Sequence, residues 1–182
     1  MPALPSNLPL VRLAASEVHV AQEATLIQTV LGSCVAAALW NPRLKIGAMC
    51  HGALPHCPEH LELSLDLTPR LRYVDYSIRY LRERLDALGT RPKELEVKLF
   101  GGADVLPASQ PRLRDTVGYQ NCMAALHAVE ECGLRLIVTD LGGAEGRLIY
   151  FRSDTGEVFL QRLGSSAASN RHVREELMRV QR

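Results

Sequence analysis

The chain has 182 residues, and its 21 basic and 20 acidic side chains give a formal net charge of +1 at pH 7. A charge this close to zero gives no general electrostatic reason to bind nucleic acid or a membrane surface. Its apolar stretches are too short to span a bilayer, and no basic residue precedes the first apolar residues, so we expect neither direct membrane insertion nor a secretory signal. The hydrophobic fraction of 47% is sufficient to fill the core of one domain.

The cysteines also bear on the compartment. An odd number without a secretory signal predicts free thiols in a reducing cytoplasm. Each thiol has to be considered separately, because a free cysteine is commonly a small buried hydrophobe. The five cysteines are Cys34, Cys50, Cys57, Cys122 and Cys132.

The first part of the chain predicts short strands followed by one hairpin. Residues 1–10 contain three prolines and predict a flexible N-terminus, and residues 10–31 mix apolar and polar positions as short strands do. Two apolar runs, 35–40 and 46–53, flank a turn signal at Asn41-Pro42 and predict a β-hairpin. Residues 55–70 are rich in proline and predict a loop.

The second part of the chain predicts helices between strands. The elements expected from periodicity and turn signals are a helix at 73–88, a strand at 95–99, a loop at 103–117, a helix at 121–132, a strand at 134–139 and a hairpin within 147–160. Lys98 and Arg147 are expected to be solvated strand positions. Residues 11–163 are predicted to form a single domain, and residues 164–182 a helical tail. Adjacent hairpins argue against a purely parallel sheet, so the predicted fold class is α+β, with two packed sheets or one mixed sheet and helices on an outer face.

The segment around Cys34 is the first candidate for chemistry. Gly32 and Ser33 permit a sharp turn between two apolar runs, and such a turn can direct backbone N–H groups toward one point, where they would stabilise an oxyanion. A cysteine beside those donors is a natural nucleophile. The alternative interpretation is a tight turn that leads a buried Cys34 into a core strand.

His51 is the second candidate, because it lies inside the apolar run 46–54, where a histidine needs a partner. If the two runs pair as a hairpin, Cys34 and His51 become neighbours near one sheet edge and could form a thiolate–imidazolium pair. The alternative is a core histidine bound to a backbone carbonyl. A third group that orients the imidazole could be Thr29, Gln28 or the more distant Asp140, and composition does not choose among them.

A metal site is the rival hypothesis from another class. His51, His56, Cys57 and His60 lie close together in sequence, and Cys50 adds a thiol, so a zinc-binding module at residues 50–60 is conceivable. Because no second Cys/His pair with ligand spacing occurs elsewhere, we assign no metal and expect no cofactor.

Several blocks together resemble the chemotaxis protein CheD family, the chemoreceptor glutamine deamidases. Residues 29–55 resemble the family's T-L-L-G-S-C-V-A-V segment, its Y-D-P turn and its G-M-x-H and L-P segments. Residues 98–103 resemble K-x-F-G-G-A, Val117-Gly118 with Asn121 resembles I-G-x-x-N, and residues 140–147 resemble D-x-G-G-x-x-G-R. The resemblance covers residues 11–162 in order.

The resemblance implies a fold like the catalytic domain of cytotoxic necrotizing factor toxins, with packed β-sheets and flanking helices. It implies Cys34 as nucleophile, His51 as base and an upstream threonine that completes the site, and on this resemblance we prefer Thr29 to Gln28. The implied substrate is a glutamine side chain on the cytoplasmic helical bundle of a chemoreceptor, and a CheC-type phosphatase is an implied partner. A protein that kept the fold as a weakly catalytic chemotaxis adaptor is the second alternative.

Overall fold

The structure is a computed structural model that describes residues 7–104 and 116–164. The predictions for residues 1–6, for most of the loop at 103–117 and for the C-terminal tail from residue 165 lie outside these ranges. The predicted domain boundaries therefore remain predictions.

The described residues form two β-sheets. One sheet has the strand order β1-β3-β8-β9 and the other the order β2-β5-β4-β6-β7. The pairs β1–β3 and β6–β7 are parallel, and the other pairs are antiparallel. The strands are β1 (Leu10–Arg12), β2 (Val18–Ala21), β3 (Leu26–Leu31), β4 (Val35–Asn41), β5 (Ile46–Gly52), β6 (Glu96–Gly101), β7 (Arg135–Leu141), β8 (Gly146–Arg152) and β9 (Val158–Leu163).

The helices are α1 (Glu59–Glu62), α2 (Val74–Asp86) and α3 (Val117–Glu131), and none of these described helices has the length and apolar character needed to cross a membrane. The short α1 lies within the stretch that the sequence predicts to be a loop. Helix α3 begins one turn earlier than predicted, because the side chain of Thr116 accepts a hydrogen bond from the backbone N–H of Tyr119 and caps the helix.

Two cores define three layers. Helices α2 and α3 pack on one face of the five-stranded sheet, where they bury alternate residues of β4 such as Val35, Ala37 and Leu39. The opposite face of β4, with Ala36 and Ala38, packs on Ile27 and Leu31 of the other sheet. Because both faces of β4 and β5 are buried, these strands are continuous apolar runs without alternation. The predicted α+β class, with packed sheets and helices outside, is confirmed.

Of the two charged strand residues predicted to be solvated, one is buried. Arg147 has a side chain that is only 1% exposed, and it donates to Asp140 and to the carbonyls of Glu145 and Gly142. Lys98 is partly buried and donates to the carbonyl of Gly156. The prediction of a solvated position is wrong for Arg147, because alternation along a strand does not reveal that the turn between β7 and β8 folds back and provides acceptors.

Candidate active site

The predicted hairpin forms and fixes the position of His51. Strands β4 and β5 pair antiparallel with Ala36 opposite His51 and Val35 opposite Gly52. The backbone of His51 is also held from the other side, since its N–H donates to the carbonyl of Glu17 and its carbonyl accepts from Ser16. His51 is thus on an interior strand with its side chain on the face between the two sheets.

Thr29 binds the imidazole across the two sheets. Its Oγ1 lies 2.7 Å from Nδ1 of His51 and donates to the carbonyl of Leu13 at 2.8 Å. A threonine hydroxyl has one proton, and a carbonyl can only accept, so this proton points to Leu13. Oγ1 therefore accepts from Nδ1–H, and the lone pair of the neutral ring is on Nε2. The network thus assigns the tautomer that a general base requires.

Burial favours the uncharged forms of both candidate groups, Cys34 and His51. Desolvation lowers the pKa of His51 to about 4, although the Leu13 carbonyl opposes this shift. Desolvation also raises the pKa of the Cys34 thiol, while the residue's own backbone N–H opposes that shift. These directions favour a neutral thiol beside a neutral imidazole at pH 7, rather than the thiolate–imidazolium pair expected from the sequence.

Cys34 and His51 share one face of the sheet without a direct hydrogen bond. Cys34 precedes β4 by one residue and packs against the core cluster between the sheets, two positions before Ala36, the residue opposite His51. Nε2 of His51 has no hydrogen-bond partner among the described residues. The two residues lie at the end of central strands, not at a lateral edge of the sheet. Catalytic hydrogen bonds often shorten only when substrate binds.

The turn before Cys34 is held through its three carbonyls. The carbonyl of Gly32 accepts from the N–H of Ala103, that of Ser33 accepts from Nδ2 of Asn121, and that of Cys34 accepts from the N–H of Gly102. Among the described residues, no other residue accepts from the N–H groups of Ser33 and Cys34. In the part of the chain described here, these donors have no acceptor other than the thiol of Cys34 itself.

The glycines after β6 are required by this turn. A Cβ on Gly101, whose φ is +111°, would lie 2.1 Å from the carbonyl oxygen of Cys34. A Cβ on Gly102, whose φ is +67°, would lie 2.1 Å from the sulfur of Cys122. The F-G-G block therefore lets the end of β6 approach the backbone of Cys34 closely.

The other candidates for the third group are engaged elsewhere. Nε2 of Gln28 donates to the hydroxyl of Tyr150, its partner on β8, on the opposite face of the sheet from Thr29. The carboxylate of Asp140 binds Arg147 and Arg162. Of the three candidates, Thr29 alone contacts His51.

The residues of the conceived zinc site do not converge. His51 binds Thr29, while His56 contacts Asp75, whose carboxylate also accepts from the N–H of Cys57. The part of the chain described here contains no group of three or more histidine, cysteine or acidic side chains that could hold a metal ion.

Sequence reasoning missed the structural role of Asn121. It noted this residue only as part of a block resembling the family, although the side chain is 0% exposed and donates to the carbonyls of Ser33 and Ala53. A polar residue on the buried face of a predicted helix, three positions after a glycine, was the available signal.

A half-buried cysteine that follows a tight turn, together with an oriented imidazole on the same face, supplies the groups that a cysteine hydrolase would use. The CheD family model, described as CheD chemotactic sensory transduction, matches residues 58–162. The chain belongs to this family.

Relatives match nearly the whole chain. The chain is 38% identical over 165 residues to a probable chemoreceptor glutamine deamidase CheD of Maridesulfovibrio salexigens, covering 90% of this chain and 97% of the relative. It is 38% identical over 170 residues to a probable chemoreceptor glutamine deamidase CheD 2 of Geobacter sulfurreducens, covering 93% of this chain and all of the relative. A probable chemoreceptor glutamine deamidase CheD of Vibrio vulnificus is 36% identical over 174 residues, covering 93% of this chain and 78% of the relative.

Proposed function

We propose that this chain converts glutamine side chains of chemoreceptors to glutamate and releases ammonia, with Cys34 as nucleophile, His51 as general base and Thr29 as the group that orients His51. The observation that carries the proposal is the hydrogen bond between Thr29 and His51, because it leaves the lone pair of Nε2 on the face that Cys34 shares. The names of the relatives supply the substrate class.

The first half of the reaction forms a thioester. Nε2 of His51 takes the proton of the Cys34 thiol as the sulfur attacks the carboxamide carbon of glutamine. The carbonyl oxygen becomes an oxyanion, which the N–H groups of Ser33 and Cys34 stabilise, with Gly32 permitting the turn. The imidazolium then gives its proton to the departing ammonia, so the C–N bond breaks and the C–S bond remains.

The second half of the reaction uses water. His51, neutral again, takes a proton from a water molecule that attacks the thioester carbon, and the proton passes to the leaving sulfur. The products are glutamate and the original thiol. Both half-reactions begin and end with neutral side chains, which agrees with the directions of the pKa shifts of Cys34 and His51.

The resemblance to the family extends the proposal to partners and location. The substrate is the cytoplasmic helical bundle of a chemoreceptor, a CheC-type phosphatase is a binding partner, and the chain acts in the cytoplasm. Each deamidation adds a negative charge to the bundle, which is a local electrostatic change with a signalling consequence. Co-purification of the chain with a receptor fragment and with a CheC-type protein, together with cell fractionation, tests these statements.

The activity is tested by mass spectrometry of a purified receptor fragment before and after incubation with the protein. Wild-type protein should convert specific glutamines to glutamate with an equivalent release of ammonia. Cys34→Ala should remove the conversion. Cys132→Ala is the matched control, because Cys132 is also a half-buried free cysteine but lies at the C-terminal end of α3.

Retained activity in Cys34→Ala would refute the assignment of the nucleophile. If wild-type protein converts no glutamine in any receptor fragment offered, the deamidase proposal fails.

A further inference from the structure

We propose that Asn121 is a positioning residue that holds the backbone of Cys34 at a fixed distance from the strand of His51. This inference rests on the proposed function, which assigns the chemistry to Cys34 and His51. It concerns a residue of α3 that contacts neither reactive group through its own side chain.

The two N–H groups of the Asn121 carboxamide join the two segments. One bond reaches the carbonyl of Ser33 at 2.9 Å, and the other reaches the carbonyl of Ala53 at 3.1 Å. Ser33 immediately precedes Cys34, and Ala53 follows His51 by two residues. One side chain therefore ties the nucleophile's turn to the end of the base's strand.

The position of this bridge explains why it is needed. The β4–β5 ladder ends at the pair Val35 and Gly52, so Ser33 and Ala53 lie just beyond the last paired residues. Past that point no strand pairing fixes the separation of the two segments. The amide of Asn121 provides two hydrogen bonds there.

The orientation of the amide is determined by its neighbours. If the carboxamide of Asn121 were flipped, its oxygen would face two carbonyl oxygens, and neither of them can donate a hydrogen bond. The carboxamide nitrogen alone can supply both bonds. Because Asn121 is 0% exposed, these bonds do not compete with water.

A glycine one turn earlier lets the helix come close enough. A Cβ on Gly118 would lie 2.6 Å from the carbonyl oxygen of Gly102, so the first turn of α3 packs directly on the backbone after β6. Asn121 is three residues further on and therefore lies on the same face of the helix. The spacing of glycine and asparagine in this block thus has a physical reason.

The test compares Asn121→Ala with Asn41→Ala. Asn41 is a matched control, because it is also 0% exposed and its side chain also binds a turn, but at the opposite end of the same hairpin. For the receptor fragment, Asn121→Ala should lower kcat about 10- to 100-fold with a much smaller change in KM, since a small misplacement of reacting groups costs about this much. Asn41→Ala should leave kcat within about twofold at a temperature where both variants are folded, because it does not touch the site.

A double-mutant cycle on thiol alkylation separates this inference from the proposed function. In the Cys132→Ala background, His51→Gln should slow alkylation of Cys34 by iodoacetamide, and this effect should shrink severalfold when Asn121 is already alanine. The cycle can be measured even if the protein deamidates no receptor. Asn121→Ser, which keeps one donor, should give intermediate values and replaces the alanine variant if that variant does not fold.

Full kcat in a folded Asn121→Ala protein would overturn the inference, as would an equal loss of kcat in Asn41→Ala. The inference would also be overturned if His51→Gln slowed the alkylation of Cys34 by the same factor in the Asn121→Ala background as in its absence.

Discussion

The hydroxyl of Thr29 lies 2.7 Å from Nδ1 of His51, although the two residues belong to different β-sheets. This hydrogen bond crosses the core between the sheets, and the same hydroxyl donates to the carbonyl of Leu13. The packing of one sheet on the other therefore determines which nitrogen of the imidazole is protonated. The packing of the two sheets and the tautomer of the proposed base are therefore linked at this contact.

Replacing Thr29 by valine should lower kcat strongly and the stability of the fold only slightly. Valine has a similar shape but cannot accept from Nδ1–H, so the ring loses its fixed tautomer, and we expect kcat to fall about 100-fold or more. Thr29→Ser should retain most of the activity, because it keeps the hydroxyl. Steady-state kinetics on a receptor fragment measure both effects.

Thr25→Val is the control for this prediction, since the Thr25 hydroxyl donates to the carbonyl of Glu23 and is remote from His51. We expect it to keep kcat within about twofold, as is usual for substitutions away from a site. Equal activity of the serine and valine variants at position 29 would contradict the orienting role.

The stability of the protein should decrease as the pH falls from about 6.5 to about 4. His51 has a pKa of about 4 when folded and an ordinary pKa of 6.5 when unfolded, so the unfolded state binds more protons in this window. The contribution is fully present above pH 6.5 and amounts to about 3 kcal/mol, which is lost by about pH 4. Urea unfolding at several pH values gives the free energy of unfolding of wild-type protein and of His51→Gln. The contribution of His51 is the difference between the two proteins in how much of this free energy is lost from pH 6.5 to 4.

His127→Gln provides the comparison, because its ring is exposed on α3 beside Glu131. As a surface substitution, it should change the free energy of unfolding by at most about 0.5 kcal/mol. The prediction is contradicted if His51→Gln and wild-type protein lose the same free energy of unfolding between pH 6.5 and 4.

Gly101→Ala should lower the free energy of unfolding by more than the cost of placing an alanine at a positive φ. A positive φ costs an alanine about 1–2 kcal/mol, and here the new Cβ would also meet the carbonyl oxygen of Cys34 at 2.1 Å. Gly89→Ala is the matched variant, with φ of +89° and no atom within 4 Å of the added Cβ. Chemical denaturation should show a clearly larger loss for Gly101→Ala, together with loss of deamidation. If Gly101→Ala and Gly89→Ala lost similar free energies of unfolding, the turn at Cys34 would be able to move away from the new Cβ without cost, which contradicts the prediction.

Arg147→Met should destabilise the fold by about 1–3 kcal/mol, because a buried guanidinium loses its hydrogen bonds while Asp140 keeps Arg162 as a partner. The substitution leaves the carbonyls of Gly142 and Glu145 without their donor and weakens the turn between β7 and β8. Arg152→Met removes a more exposed pair with Asp154 and should cost at most about 1 kcal/mol. Thermal and urea unfolding of both variants check the difference, and comparable losses would argue against a structural role for the burial of Arg147.

Local patterns were sufficient for most elements and for two of the three proposed catalytic residues. The apolar runs and the turn at Asn41-Pro42 predicted the hairpin, and the hairpin placed Cys34 near His51. The stripe of apolar residues predicted α2, because helical periodicity follows from one buried face. These features depend on neighbours within one or two elements, which the sequence displays directly.

The family resemblance favoured Thr29 over Gln28, but the contact of Thr29 with His51 depends on long-range packing. Adjacent residues of a strand point to opposite faces, so only the packing of the two sheets decides which of them meets the imidazole. The same holds for Asn121, Arg147 and the neutral state of the pair Cys34 and His51, since burial and hydrogen bonds from distant elements set all three. The sequence by itself determined the strands, the helices and the candidate thiol and imidazole, because each follows from local periodicity and turn chemistry. The tertiary structure alone decided how those groups are oriented and charged, because orientation and desolvation arise only when the sheets and α3 pack together.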